Sequence, residues 1–332
     1  MPERWRLGAL IVAIACFVLP SLGGLGVAAS ADDETGEEGE APVTSRVEFR
    51  FADPRITESS GLTVGDGYFV TTNDSGDAGR IYTVDPGTGD TVGTTTYAVP
   101  TRAIFVAPKG TPTGSGTLGD PYGSAAYAVS KAASGSTIVL RGGTYREYVY
   151  VGFKKALTIQ AYPGEAVWFD GSSPVTGWAK SGNTWVKTGW THRFDHSVSF
   201  TAGRDDTRRF VDDANPLAGY PDQVWVNDKA LRQVGSASAV TTGTFYVDEG
   251  GKRLVIGTDP TGRNVEASTL ARAFKIQGAH TTLRGFGIER YATTLSMMGA
   301  VTAEVDDITL ENMVVRDNAT IGVYAWNDVK NF

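Results

Sequence analysis

The chain has 332 residues, with 30 basic and 37 acidic side chains and a formal net charge of −7 at neutral pH. That length can bury a substantial core in one large all-β domain or two smaller ones, and the acidic balance makes nucleic acid a poor partner. A single cysteine excludes an intrachain disulfide and a cysteine-ligated metal.

Arg4 and Arg6 precede an apolar run from Leu7 to Val27, and Ala29-Ser30-Ala31 follows with the small residues a signal peptidase needs. This pattern predicts an export signal over 1–31 and a secreted protein beginning at Asp32, with no membrane association after cleavage. An uncleaved anchor is the alternative by length, but Pro20, Gly23, Gly24 and Gly26 weaken it. Cys16 lies in mid-run after Ala13-Ile14-Ala15, which does not fit a lipid-attachment site. Removing 1–31 takes away Glu3, Arg4 and Arg6 and leaves 28 basic against 36 acidic residues, a charge of −8.

Residues 32–45 form an acidic linker that opens with DDETGEEGE. Residues 46–100 alternate apolar and polar around turn signals at Gly65-Asp66-Gly67, Asn73 to Asp77 and Asp85 to Gly89, which predicts a small antiparallel β segment. Its run from Ser59 to Asp85 resembles one blade of a secreted β-propeller. Asn73, Asp74 and Asp77 suggest calcium, but Val84 stands where such a loop needs Glu, so a tight hairpin loop is the reading.

From residue 101 the pattern changes. Ser124 suits a helix N-cap and Gly135 a C′ stop, and Ala125, Ala128, Val129, Ala132 and Ala133 form one apolar stripe between them. Short β-branched runs then recur: Ile138 to Ile159, Val149 to Val167 and, further on, Leu283 to Leu310. Runs returning at such intervals mark a solenoid, and a helix before the first one predicts a cap over its open end. The expected fold is therefore all-β: a right-handed parallel β-helix over 101–332 with an N-terminal capping helix. Residues 172–270 break the rhythm with Trp178, Trp185 and Trp190 and with strand runs at Gln223–Val226, Thr244–Asp248 and Arg253–Ile256, the last two joined at Gly250-Gly251. They read as a β-rich side insertion. The chain stops at Phe332 soon after Gly322 to Trp326 begins another strand, which predicts that it is the front part of a longer protein.

From Ile104 onward the sequence resembles the secreted right-handed β-helix superfamily that includes pectate-lyase-like and alginate-lyase or chondroitinase-like enzymes. The residues carrying the resemblance are Val106-Ala107-Pro108, Gly135 to Ile138, Gly142 to Glu147, Leu157 to Ile159, Gly243 to Asp248 and Leu283 to Gly285. It implies a polysaccharide partner, a groove along one parallel sheet, and either a lyase or a glycoside hydrolase. Lyases of that kind commonly use Ca²⁺ and a basic residue that abstracts a proton beside a uronate. No catalytic motif of a single lyase family matches residue for residue, so catalytic and metal residues are not transferred.

Candidates come instead from the last circuits, where side chains stack from coil to coil. Glu289, Arg290, Arg316 and Asp317 are the candidates for catalysis or ion contact, and Arg284 and Glu304 for substrate binding. Tyr324 and Trp326 alternate on the terminal strand and could offer a stacking platform for a sugar ring. The bland reading of these charges is solubility. His192, Asp195 and His196 have spacing for a metal or for acid–base work, against ordinary loop packing, and Arg204 to Arg209 with Asp212-Asp213 read either as a carbohydrate-facing loop or as self-paired charge. The sequence thus points to a secreted, monomeric, polysaccharide-active solenoid. It leaves open a non-catalytic glycan-binding or adhesion solenoid and an inactive fragment of a longer protein.

Overall fold

The computed structural model describes residues 59–65, 68–73, 81–84, 97–199, 201–204, 209, 211–296, 298–326 and 329–332. The expected export signal and acidic linker, 1–31 and 32–45, lie outside the described residues. Among those described, no helix is long and apolar enough to cross a membrane.

The chain divides into two compact units, 1–77 with 82–91, and 78–81 with 92–332. In the first, Ser59–Gly65 pairs antiparallel with Tyr68–Asn73, and Ile81–Val84 extends the same three-stranded sheet. The last pair of that hairpin joins Gly65 to Tyr68.

The second unit is nearly all β with one α-helix, and its frame is three parallel sheets. Sheet I contains Ile104–Thr111, Thr137–Leu140, Thr158–Ala161, Thr282–Arg284 and Thr309–Glu311. Sheet II contains Gly143–Tyr145, Val167–Asp170, Gly287–Glu289 and Val314–Arg316. Sheet III contains Val149–Val151, Phe274–Ile276, Val301–Ala303 and Val323–Ala325. After Thr137 the chain visits I, II and III in that order and repeats it. The strands are three or four residues long from there on because each circuit turns after one short apolar run. Side chains alternate across a strand, so one set of positions stacks inward from circuit to circuit. Ile138, Ile159 and Leu283 form such a row, fully buried, and Leu310 continues it. Between the sheets, Phe169 packs against Tyr145 at 5.2 Å and Phe274 at 4.7 Å between ring centroids. Burying each such side chain contributes about 1.5–3 kcal/mol.

The intervals Ile138 to Ile159 and Leu283 to Leu310 are true returns to one sheet. The interval Val149 to Val167 is not: Val149 stacks on Phe274 in sheet III, while Val167 pairs with Gly143 in sheet II. Val167 lies one sheet short of a full circuit, and the insertion then postpones the return to sheet III. The chain leaves sheet II at Asp170 and returns to sheet III at Phe274, having built two separate sheets on the way. Gly171 stands at the exit, where a Cβ would lie 2.6 Å from Cα of Tyr291, and its carbonyl accepts N–H bonds from Thr269 and Leu270 at 2.8 and 3.0 Å. The two ends of the insertion are thereby fastened together.

Within the insertion, Ser172–Pro174, Val265–Ser268, Val224–Val226 and Lys229–Ala230 form one antiparallel sheet. Ala179–Ser181, Thr184–Thr188, Arg253–Ile256, Thr244–Asp248 and Arg232–Gln233 form a second, mixed sheet in which only the last strand is joined in parallel, and the predicted hairpin at Gly250-Gly251 is present. Trp190, Val224, Phe245, Leu254 and Ile256 are among the residues of its own core.

The helix spans Ala125–Lys131, with the Ser124 hydroxyl accepting from N–H of Tyr127. Ala125, Ala128, Val129 and Ala132 join the core cluster with Val106 and Val149, as a cap over an apolar end requires. The helix ends two residues earlier than a C′ at Gly135 implies. Ala132 is already extended, Ala133 is exposed, and Gly135 turns at φ 84° to donate its N–H to Ala156 O. Glu147 completes the cap: its carboxylate accepts from Ser124 Oγ at 2.6 Å and from N–H of Ala125 and Ala126 at 2.8 and 3.0 Å. A carboxylate against free N–H groups at a helix start is the favourable arrangement.

Candidate functional site

The outward face of sheet III carries one row of Tyr150, Lys275, Thr302 and Tyr324 across four strands. At the strand spacing of about 4.8 Å the two tyrosines lie roughly 14 Å apart. One position beyond the paired strands, Gln277, Glu304 and Trp326 form a second outward row. Their N–H groups bond Val151, Ile276 and Ala303 carbonyls, which carries the register onward. Tyr150 donates to Gln277 Oε1, Gln277 Nε2 donates to Glu304 Oε2 at 2.6 Å, and Lys275 Nζ lies 3.2 Å from Glu304 Oε1. This chain of partners fixes the polar side chains while Tyr148, Tyr150, Phe153 and Trp326 stay 43–64% and 42% exposed around them. Rigid aromatic faces beside oriented donors and acceptors suit a sugar, whose rings present C–H faces and whose hydroxyls seek hydrogen bonds.

Glu304, Tyr324 and Trp326 are therefore brought together. Tyr150, Lys275 and Gln277 belong with them and escape the sequence reading, because their strands lie far apart in the chain.

Glu289, Arg290, Arg316 and Asp317 meet elsewhere, at the edge of sheet II. Asp170, Glu289 and Arg316 share one row. Arg316 pairs with Glu289 at 2.7 Å and lies over the Trp168 ring at 4.5 Å, and that ring crosses Gly287 so closely that no Cβ would fit there. Arg146 pairs with Asp170 at 3.2 Å and with Glu266 of the insertion at 2.7 Å. Arg290 is buried on the Trp225 ring and bonds Glu266 at 2.6 Å and Asp228 at 2.8 Å. Burial pushes the Glu289 carboxyl above its ordinary range, although the bond from Arg316 and the nearby Arg290 charge oppose it. The insertion covers this ladder, so Glu289 and Arg290 are interior charges and not part of an open groove wall. Asp317 turns the chain at φ 52°, and its carbonyl accepts from Gln223 Nε2 at 3.0 Å.

Arg284 stands apart on sheet I. Its guanidinium bonds Gln160 Oε1 at 2.8 Å, with the Tyr97 ring 4.1 Å away and Glu311 at 3.9 Å.

His192, Asp195 and His196 do not converge. His192 packs on Trp190, His196 on Tyr220, and Asp195 accepts from Ser197 N and Oγ and from Ser296 Oγ. Among the described residues no three His, Cys, Asp or Glu side chains come together as a metal cage, so the calcium implied by the resemblance finds no ready donor set. Arg209 pairs with Asp213 at 2.7 Å, in keeping with self-paired charge.

No family model matches the chain. A stretch of 80 residues is 40% identical to pectate lyase PEL9 of Emericella nidulans, covering 22% of this chain and 20% of that protein. The match thus spans about a fifth of the relative's length. Among solved structures, the complex of XylC with xylose aligns with a TM-score of 0.48 at 19% identity, over 63% of this chain and 40% of that one. A glycoside hydrolase aligns with a TM-score of 0.44 at 12% identity, over 67% of this chain and 63% of that one.

Proposed function

We propose that this chain is a secreted right-handed parallel β-helix that binds and acts on polysaccharide along the outward face of sheet III. The observation that carries the reading is the aromatic series around Lys275, Gln277 and Glu304, in which Tyr150 and Trp326 are exposed and Tyr324 is half-buried. Sugar rings stack on Tyr150, Tyr324 and Trp326, while the polar trio bonds their hydroxyls or carboxylates. The short match to a pectate lyase supports a uronate polymer as the substrate class and elimination as the reaction, with hydrolysis the other outcome. At the sheet II edge, Arg316 and Asp317 keep 25% and 31% of their side chains exposed, against 11% for Glu289 and 8% for Arg290. Substrate contact there falls to Arg316 and Asp317, Glu289 positions Arg316, and Arg290 fastens the insertion beside them.

A second reading is binding without turnover. It is favoured by the internal pairing of the candidate charges, Glu304 with Lys275 and Glu289 with Arg316. One experiment separates them: purified mature protein is incubated with polygalacturonate, alginate, chondroitin and xylan, with and without calcium, and assayed for unsaturated products, new reducing ends and retention on the polymer. Unsaturated products establish a lyase and saturated reducing ends a hydrolase. Retention without products leaves the binding reading, and neither retention nor products on any polymer removes the proposal.

A further inference from the structure

The insertion holds a cavity of about 260 Å³ that the sheet III surface does not use, walled in part by His196, Tyr220, Asp222, Gln233, Tyr246 and Glu249. Its construction follows from alternation on the strand Thr244–Asp248. Phe245 points into the insertion's core, so Tyr246 points the other way and packs beside Val234, Val240 and Val255. On the far side the rings of His196 and Tyr220 meet at 4.3 Å.

The charges in the cavity are unevenly answered. Asp248 is fully engaged, by Arg253 at 2.5 Å and by N–H of Gly251 at 2.8 Å. Among the described residues Glu249 has only Arg193 as an ion-pair partner, whose closer bond, 2.7 Å, goes to the Glu249 carbonyl while the carboxylate lies 3.9 Å away. Asp222 feels the Glu249 charge as repulsion, which the neighbouring His196 and a bond from the neutral Gln233 side chain oppose only in part. Two carboxylates facing one space with a distant arginine attract a cation. Aromatic walls select an organic one, because an ammonium gains from ring faces. Calcium needs six to eight oxygen ligands. The absence of any converging trio of His, Cys, Asp or Glu among the described residues argues against that metal. A neutral sugar would leave the like-charge repulsion in place. The volume is below the roughly 300–1,000 Å³ of drug-sized sites and suits one small molecule.

We propose that this cavity binds a small organic cation carrying a primary ammonium, held by Asp222 with Glu249 and enclosed by Tyr220, Tyr246 and His196. Burial and the neighbouring Glu249 hold the Asp222 carboxyl up at about 6, so at neutral pH the chain keeps a disfavoured negative charge that a bound ammonium would relieve. The site goes beyond the polysaccharide reading and stands or falls separately from it.

Calorimetric titration of the whole mature protein near neutral pH with glucosamine, cadaverine and glucose tests it. Binding of either amine with no heat from glucose is expected. Glucosamine as the tighter ligand assigns an amino sugar, and cadaverine an aliphatic amine. Asp222→Asn should weaken that binding by roughly tenfold to a hundredfold, as loss of a charge-assisted bond implies, with the circular dichroism spectrum unchanged. Glu249→Gln, made at a partly exposed position, serves as a second variant and should weaken it less. Silence from both amines, glucose binding as well as glucosamine, or amine affinity unchanged in both variants would overturn the proposal. Polysaccharide retention is measured in parallel, so failure of one site is distinguishable from failure of the other.

Discussion

Asp222 gives the chain a pH signature that a single substitution can expose. Burial, and then the charge of Glu249, raises its carboxyl from an ordinary 3.8 to about 6. Below about pH 3 the group is largely protonated in both folded and unfolded chains and costs almost nothing. As pH rises toward 6 the unfolded chain ionises first, so stability falls, and above 6 the whole penalty is present, about 2–3 kcal/mol. Asp222→Asn should therefore raise the melting temperature at about pH 7–8 and leave it nearly unchanged near pH 3. Melts across that range check it, and a difference independent of pH would refute the assignment. This residue lies in no motif, and nothing in its neighbourhood in the sequence announces its burial. The same blindness explains Glu289 and Arg290. Read along the chain they look like outward charges after a strand, but Arg290 finds Glu266 24 residues and Asp228 62 residues away. Only the folded insertion supplies those partners.

At the scale of elements, local signals were legible and distant ones were not. Ser124 marks the helix start because an N-cap bond reaches only to Tyr127. The Glu147 carboxylate that finishes the cap comes from 21 to 23 residues downstream and leaves no local trace. On sheet III, alternation places Tyr324 and Trp326 on one face by inspection. Their companion Tyr150 bonds Gln277 across 127 residues, a pairing that no periodicity predicts. If this face holds a polysaccharide, Trp326→Ala and Tyr150→Ala should each weaken binding by about 1–2 kcal/mol, roughly five- to thirtyfold in Kd. Both side chains are more than 40% exposed, so unfolding free energy should move by no more than about 0.5 kcal/mol. Affinity electrophoresis in the polymer beside urea melts measures the two separately. Unchanged mobility of both variants would move the binding face elsewhere.

At the scale of the whole second unit, the rhythm of returns discloses the three parallel sheets. It also shows that 172–270 interrupts them, but not how the interruption is fastened. The fastening is electrostatic as well as apolar. Glu266, on an insertion strand, bonds both Arg146 and Arg290 from the stacked sheets, and Arg290 is 8% exposed at its side chain. Removing one partner of a buried pair leaves an uncompensated charge, which costs about 3–5 kcal/mol in general. Arg290 would retain Asp228 at 2.8 Å and Arg146 would retain Asp170, so Glu266→Ala should cost nearer 2–4 kcal/mol. Replacing both partners with apolar residues of similar size, Glu266→Leu with Arg290→Met, should recover much of that loss, because the cost lies in the orphaned charge and not in the absence of the bond. Hydrogen exchange adds the spatial test. In Glu266→Ala, amides of 172–270 should exchange ahead of those in Thr137–Leu140 and Thr158–Ala161, since the insertion has a core of its own and can open while the stacked rows stay closed. Uniform acceleration across both regions would mean that the insertion and the sheets unfold as one body and that the ion pair is not what couples them.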